Sequence, residues 1–236
     1  MPDQGRARHE SYLIDLPKER STYPPLPWTC ANATLINVFF EVRKDPLLDR
    51  LPPEYGRTSP PYCRLTIVDH KDSPIGAFRD AYLALGCRLN MAPASFVAVS
   101  VTDNRSACAA GIAERGYPNA IGTIDFEADA HRARARISDN MRPLLEVTLP
   151  LLQAIEPSRL GYDHVDAIRT LPERKTELIV TKPDFAIDRA AICKNARVEY
   201  PVERPDTTWQ VLDCRNVVSA QLVVGTRNYA AGEKLA

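Results

Sequence analysis

The stretch G-I-A-E-R-G-Y-P-N-A-I-G-T-I-D-F, residues 111–126, carries a helix end, a tight turn and the start of a strand. Good helix formers from Ala107 to Glu114 predict a short helix, and capping residues lie just before it at 103–106. Gly116 supplies the left-handed position that often follows a helix, and Pro118 prevents the helix from continuing. The turn is therefore rigid, and it can hold one side chain at a fixed point.

Most of the remaining elements are predicted to be strands. Residues 34–43 alternate apolar side chains with polar ones, so one face of this strand is core and the other is polar. On a second strand, Asp80 shares its face with Phe78 and Tyr82. Strands are predicted at residues 65–68, 78–89, 95–102, 121–126, 131–137, 177–181, 190–202 and 217–224, and a short helix at 46–51. This pattern favours an α+β, mainly antiparallel fold with a closed sheet.

Two segments allow more than one interpretation. The apolar residues 144–155 form either a strand or an insertion. Arg132, Arg134 and Arg136 alternate with apolar residues, which is typical of an exposed strand edge whose charges discourage aggregation. The alternative is a cationic lining that attracts a carboxylate.

Composition limits the class of protein. The 236 residues are 44% apolar, which is enough for one sizeable core. We expect a proline-stiffened extended arm at residues 1–28 and a single domain at residues 29–236. Thirty basic and thirty acidic side chains cancel, so bulk charge indicates neither nucleic acid nor a membrane as a partner. No apolar run suits a signal segment or a membrane span, and a cytoplasmic location is expected.

The sequence offers no metal or cofactor motif. Six cysteines lie in apolar stretches without Cys-x-x-Cys spacing, which favours free buried thiols. The Asp–His patches at 69–72 and 163–166 are interpreted as solvated turns rather than metal ligands. Zinc, nucleotide and serine-hydrolase motifs do not occur, so we expect no metal or organic cofactor.

The order Asp103-Asn104, short helix, Gly-Tyr-Pro-Asn-Ala-Ile-Gly at 116–122 and strand resembles the active-site segment of the acetoacetate decarboxylase family. In that family a lysine follows the aromatic–proline pair and forms a Schiff base with the keto group of the substrate. Asn119 and Ala120 occupy the matching positions here, so the amine is absent. The resemblance implies a closed β-barrel or cone with a few short helices, and a homo-oligomer.

Two upstream blocks extend the resemblance. Residues 24–53 are similar to the family's opening strand, short helix and proline turn, and residues 72–82 to a Pro-x-Gly turn leading into a strand with an acidic residue. By this resemblance Arg43 matches the active-site arginine of the family, Asp80 its glutamate, and Tyr117 the aromatic residue before the lysine.

These matches suggest a role for each residue. Arg43 would fix a carboxylate, and Asp80 would move a proton. Asn119 and Tyr117 would stabilise a developing enolate oxygen by hydrogen bonds. The open alternatives are a structural ion pair or two unrelated surface charges for Arg43 and Asp80, a cover over the barrel mouth for Tyr117, and an ordinary turn asparagine at 119.

Glu114 and Arg115 lie beside the turn and complete the candidate site as substrate-binding residues. Charges at a helix end are usually solvated, which is the alternative interpretation of both.

The sequence thus predicts an acetoacetate-decarboxylase-like enzyme that lacks the Schiff-base lysine. Its small-molecule substrate would carry keto or carboxylate groups or be polyketide-like, as in secondary metabolism. The chemistry would be that of a cofactor-free acid/base lyase, dehydratase, cyclase or isomerase. One alternative is a non-catalytic binding or scaffold protein. The other is a decarboxylase that uses a relocated amine, for which Lys182, after a predicted strand, is the candidate.

Overall fold

The computed structural model describes residues 3–16, 23–139, 142–160, 165–182, 184–204, 207–214 and 216–235. Strands dominate this part of the chain, as the alternating pattern predicts. The strands are β1 (Trp28–Glu41), β2 (Tyr55–Arg57), β3 (Tyr62–His70), β4 (Phe78–Leu89), β5 (Ala92–Thr102), β6 (Asn119–Ile121), β7 (Thr123–Ala128), β8 (Ala133–Asp139), β9 (Arg142–Leu149), β10 (Gln153–Ile155), β11 (Val165–Thr170), β12 (Thr176–Thr181), β13 (Asp184–Cys193), β14 (Arg197–Glu199), β15 (Val217–Tyr229) and β16 (Glu233–Lys234). The helices are α1 (Lys44–Leu48), α2 (Arg105–Arg115) and α3 (Thr208–Val211), with short 3₁₀ turns at His9–Tyr12, Pro157–Arg159 and Pro172–Arg174.

The strands form two sheets. The larger has the order β10-β13-β15-β1-β3-β4-β5-β11-β12-β16, with β2 paired to β4 and β6 paired to β5. The smaller has the order β14-β9-β8-β7. Neighbours are antiparallel except where β5 meets β6 and β11. In the described ranges the larger order ends at β10 and β16, so closure into a barrel or cone stays a prediction.

The two faces of the central strands differ, as the alternation along residues 34–43 predicts. Ile36, Val38 and Phe40 lie in the main hydrophobic core, which also receives Leu65 and Ile67 of β3. The other face carries the intervening residues, many of them polar. This second face, which we call the polar face, holds the candidate site.

The helix α2 begins after the capping residue Asn104 and ends before Gly116, as the sequence predicts. The Asn104 side chain accepts hydrogen bonds from the backbone N–H groups of Ser106 and Ala107, at 2.8 and 3.1 Å. These bonds satisfy two amides that the first turn leaves free. At the other end Gly116 adopts φ +62°, and an added Cβ would lie 2.8 Å from the Arg169 backbone nitrogen. Glycine is therefore required there by conformation and by space.

Two interpretations of the sequence need correction, and one open alternative is decided. The strand with Arg134 and Arg136 is not a sheet edge, because β8 lies between β7 and β9. Both arginines bind Glu146 of the neighbouring strand. His70 is not in a solvated turn, because it ends β3 and is fully buried. The apolar residues 144–155 are confirmed as strand, in β9 and β10.

The cysteines and the N-terminal residues complete the description. All six cysteines are free, and only Cys108 is not fully buried. Residues 3–16 run along the domain, where the backbone N–H groups of Gly5 and Ala7 donate to Tyr55 and Leu51. The division into an arm and a domain stays a prediction. Among the described residues, no helix is both long and apolar enough to cross a membrane.

We predict that Gly116→Ala destabilises the protein more than Gly76→Ala does. Both glycines have positive φ, at +62° and +83°, so both substitutions incur the left-handed strain of about 1–2 kcal/mol. Only Gly116 also has backbone atoms within 3 Å of the added carbon, whereas Gly76 has open space. Urea unfolding should therefore show a further loss of at least about 1 kcal/mol for Gly116→Ala. Equal losses would show that the turn can shift to accept a side chain.

Candidate functional site

A row of polar side chains crosses five strands of the polar face. Cross-strand pairing places Asn37 beside Thr66, Thr66 beside Tyr82, and Tyr82 beside Ser100, which in turn is beside Asn119. All five are buried. Residues paired across strands point to the same face, so this register builds a polar surface inside the protein.

Asn119 is fixed by the turn that precedes it. Its backbone N–H donates to the Tyr117 carbonyl at 2.7 Å, across Pro118. Its side-chain oxygen accepts from the Ser100 hydroxyl, which leaves the amide N–H₂ as a donor. That nitrogen would lie 2.0 Å from a Cβ at position 111, so Gly111 of α2 makes room for it. The asparagine is thus a neutral donor at a defined point.

Asp80 lies two residues before Tyr82 on β4, on the same face of the sheet, and contacts two side chains. His70 Nε2 is 3.4 Å from its Oδ1 atom, and Arg227 Nη1 is 3.6 Å from the same atom. The His70 ring stacks on Phe78, with centroids 4.2 Å apart. The three polar groups are buried and form one charge-linked triad.

Arg115 forms the other half of the cluster. Its side chain is only 3% exposed, and its guanidinium lies between the rings of Tyr117 and Tyr229, 4.2 and 4.1 Å from their centroids. One nitrogen, Nη2, donates to the Tyr117 hydroxyl oxygen at 2.8 Å. Its Nε and Nη1 atoms are buried and have no hydrogen-bond partner among the described residues. Aromatic faces attract a cation, but they do not satisfy its N–H donors.

The arrangement fixes the charge on each group. Burial raises the pKa of Asp80. The positive charge of Arg227, the neighbouring His70 and Arg115 outweigh this effect and lower the pKa to about 2. Burial also lowers the pKa of His70, so its imidazole is neutral at neutral pH. Two buried guanidinium groups therefore face one buried carboxylate. The cluster has an excess of one positive charge.

The tyrosines remain protonated. Burial raises the pKa of the Tyr117 and Tyr229 hydroxyls above their ordinary value, and the neighbouring Arg115 only partly opposes this. Because the Tyr117 oxygen already accepts from Arg115, its O–H can donate to another group. Tyr117 and Asn119 thus present two neutral donors beside an excess cation.

The structure brings together four of the six residues that the sequence singles out, namely Asp80, Arg115, Tyr117 and Asn119. Arg43 is not among them. It is exposed beyond the end of β1, and the strand register puts it roughly 25 Å along the strand direction from the level of Asp80. Asp80 therefore has Arg227, rather than Arg43, as its arginine neighbour.

Glu114 also points elsewhere. Its carboxylate accepts from the Tyr23 hydroxyl at 3.2 Å. Lys182, the candidate for a relocated amine, has a side chain that is 76% exposed and lies 3.7 Å from Glu233. Every lysine that the structure describes is exposed.

Three residues of the cluster are absent from the sequence prediction: His70, Arg227 and Tyr229. His70 belongs to one of the two Asp–His patches, and its strand is longer than the apolar pattern indicated. Residues 163 and 164 of the second patch lie outside the described residues. For Arg227 and Tyr229 the signal is the alternation of residues 217–224, which continues to Tyr229. In the described ranges, no group of three or more His, Cys, Asp or Glu side chains could hold a metal ion.

We predict that Asp80→Asn lowers stability at pH 7 and that the difference from wild type disappears in acid. The folded pKa of about 2 lies below the ordinary value of 3.8, so the ionised carboxylate stabilises the fold above about pH 4. This contribution, about 2 kcal/mol, is lost as the pH falls towards 2. Urea unfolding from pH 7 downwards measures it.

The matched control is Asp188→Asn, because Asp188 is exposed. Its stability should follow that of the wild type at every pH. A constant gap between wild type and Asp80→Asn down to pH 2 would contradict the assigned ionisation.

Comparison with known proteins identifies the family. The family model "Acetoacetate decarboxylase (ADC)" matches residues 14–234. No curated protein sequence matches the chain. An acetoacetate decarboxylase structure is similar with a TM-score of 0.82 and 17% identity, over 90% of this chain and 91% of that one. The acetoacetate decarboxylase of Legionella pneumophila subsp. pneumophila str. Philadelphia 1 gives 0.81 and 15%, over 94% and 92%.

A third similar structure is the enduracididine biosynthesis enzyme MppR, solved in complex with pyruvate. It has a TM-score of 0.75 and 14% identity, over 92% of this chain and 93% of that one. At these identities the structural likeness shows a common fold, with mostly antiparallel strands and few helices. Together with the family model, which extends over almost all of the sequence, it shows that the chain belongs to the acetoacetate decarboxylase family.

Proposed function

We propose that the protein is an enzyme that binds a small keto acid on the polar face and stabilises its enolate form without a Schiff base. The observation that carries this proposal is Asn119, a neutral donor where the family resemblance implies a lysine, next to the unpaired N–H groups of Arg115. An amide cannot form an imine, but it can donate to an oxygen that gains negative charge.

The charge of the cluster supports an anionic substrate. Arg115 and Arg227 are buried, and Asp80 is their one carboxylate neighbour in this cluster. An uncompensated buried cation is costly. A substrate carboxylate would supply the missing charge and would accept from the two Arg115 nitrogens that have no partner. The substrate, rather than the protein, would complete the site.

The donors define the reaction class. With its carboxylate on an arginine, a keto acid would direct its carbonyl oxygen to the N–H₂ of Asn119 and the O–H of Tyr117. Hydrogen bonds from these two donors strengthen as negative charge develops on the oxygen, so they would stabilise the enolate more than the ketone. Loss of a proton from the carbon next to the carbonyl would then become easier. Lyase, dehydratase, cyclase and isomerase reactions can all begin with this step.

His70 and Asp80 are the candidates for moving that proton. Asp80 is ionised, and a carboxylate whose pKa is about 2 is a weak base. The neutral imidazole of His70 is the stronger one, so we assign proton acceptance to His70 and its orientation to Asp80. This revises the role that the sequence suggests for Asp80, from the proton carrier to the group that positions it.

The relatives fit this substrate class. MppR has been solved with pyruvate, and also with the condensation product of pyruvate and imidazole 4-carboxaldehyde. By extension we propose a 2-keto acid for this chain, with a polyketide-like substrate of secondary metabolism as the broader class. The closed barrel, the homo-oligomer and the cytoplasmic location belong to the same proposal.

One observation favours a second candidate, a protein that binds the keto acid without converting it. The space around Asp80 is occupied by the side chains of His70, Arg227 and Arg115, and the single carboxylate there is held in its charged form. Such a site could retain an anion and yet lack a free path for a proton. Binding without exchange of substrate protons would identify this function.

We predict that the protein accelerates exchange of the methyl protons of pyruvate for deuterium. Asn119→Ala and Tyr117→Phe should each reduce this exchange by about 10²-fold, since each removes one donor to the enolate oxygen. The loss of the pyruvate methyl signal in D₂O, followed by ¹H NMR, measures the rate.

Arg43→Ala is the control, because Arg43 is exposed and distant from the cluster. It should exchange at the wild-type rate. Full activity in Asn119→Ala would exclude its role as a donor. A lysine adduct trapped by borohydride would instead restore the Schiff-base mechanism, with Lys182 or another lysine as its amine.

A further inference from the structure

A second cationic group lies on the polar face, away from the cluster around Asp80. Arg64 of β3 is only 4% exposed, and it forms no ion pair or side-chain hydrogen bond with any described residue. Asn37 of β1 is 1% exposed, and its side-chain oxygen accepts from Thr66 at 2.7 Å. The Asn37 N–H₂ and the Arg64 Nε have no partner. Two buried donor groups are therefore unsatisfied side by side.

Other arginines in this protein show how unusual Arg64 is. Arg134 and Arg136 each make two hydrogen bonds to Glu146, and Arg169 makes two to Glu177. These three have a cross-strand carboxylate although they are more exposed than Arg64. A structural arginine inside a sheet would need such a partner even more, because burial raises the cost of an unpaired charge.

One small cavity connects Arg64 to the cluster. Its lining includes Arg64, Asn37 and Thr66 as well as Arg227 and Tyr82, together with Leu35, Phe185 and the exposed Asp184. Its volume is about 30 Å³, room for about one carboxylate-sized group. Asp184 is already hydrogen-bonded to Asn228 at 2.7 Å. One short ligand can therefore contact Arg64 and Arg227 together.

We propose that Arg64 and Asn37 form a second anion subsite, and that the substrate is a short keto dicarboxylate. One acidic group binds Arg64 and the Asn37 N–H₂, and the keto acid end binds at Arg115 and Asn119. Arg227 lies between them and contacts both the cavity and Asp80. This inference rests on the proposed function and names the substrate class of that site.

The spacing of the two subsites limits the length of the ligand. Arg64 is paired with Ala84, which is four residues from Asp80 on β4, or about 13 Å of strand. Arg64 and Arg227 line the same cavity, so the ligand need not span the whole of this backbone spacing. The cavity itself has room only for the second carboxylate, and the rest of the ligand, about five carbons in all, would extend past Tyr82 to Arg115 and Asn119.

The test compares 2-oxoglutarate with 2-oxopentanoate by isothermal titration calorimetry on the full chain. The two have the same length and the same keto acid end, and differ in the second carboxylate. Wild type should bind 2-oxoglutarate at least about tenfold more tightly. Arg64→Gln should remove this preference and leave the affinity for 2-oxopentanoate unchanged, while Arg88→Gln, at an exposed strand position, should keep it.

Asn37→Asp is the second variant, nearly identical in size, in case Arg64→Gln does not fold. It places a negative charge beside Arg64 and should likewise abolish the preference. Equal binding of both ligands by wild type would overturn the subsite and leave the proposed function standing. Equal weakening of both ligands by Arg64→Gln would assign Arg64 a structural role and overturn the subsite too. Failure of both ligands to bind would overturn the proposed function, and this inference with it.

Discussion

The buried contact between Asp80 and Arg227 is the interaction on which the candidate site depends. Inside a sheet, each charge alone would be costly, and together they are tolerable. The contact also holds His70 through the same carboxylate oxygen. Arg115 adds a second guanidinium, and the cluster has no second carboxylate. The cluster therefore has a net positive charge of one. An anionic ligand would neutralise the excess positive charge of this cluster.

The turn after α2 supplies the other constraint. Gly116 allows the chain to reverse, Pro118 stops the helix, and Asn119 is delivered to the polar row beside Ser100. The family uses the same turn, by resemblance, to present a lysine. An amide at this point can still donate a hydrogen bond, but it cannot form an imine with a keto group. Under the proposed function, the scaffold would be retained while the reaction differs.

The sequence predicted those parts of the structure that local signals determine. The cap at Asn104, the glycine at 116 and the alternation along β1 and β4 each act within a few residues, and the helix and strands are confirmed. The arginine partner of Asp80 could not be predicted in this way. It depends on the pairing of β15 with β1, which brings together residues from opposite ends of the chain. Arg43 has the right chemistry, but it lies at the wrong end of its strand.

The decisive measurement is the structure of the protein with pyruvate bound. We expect a carboxylate within hydrogen-bonding distance of the Arg115 guanidinium, and a keto oxygen at the Asn119 N–H₂ or the Tyr117 hydroxyl. No covalent bond should join the ligand to the protein. Pyruvate bound as an imine to a lysine, or found away from Arg115 and Asn119, would contradict an enolate site at these residues.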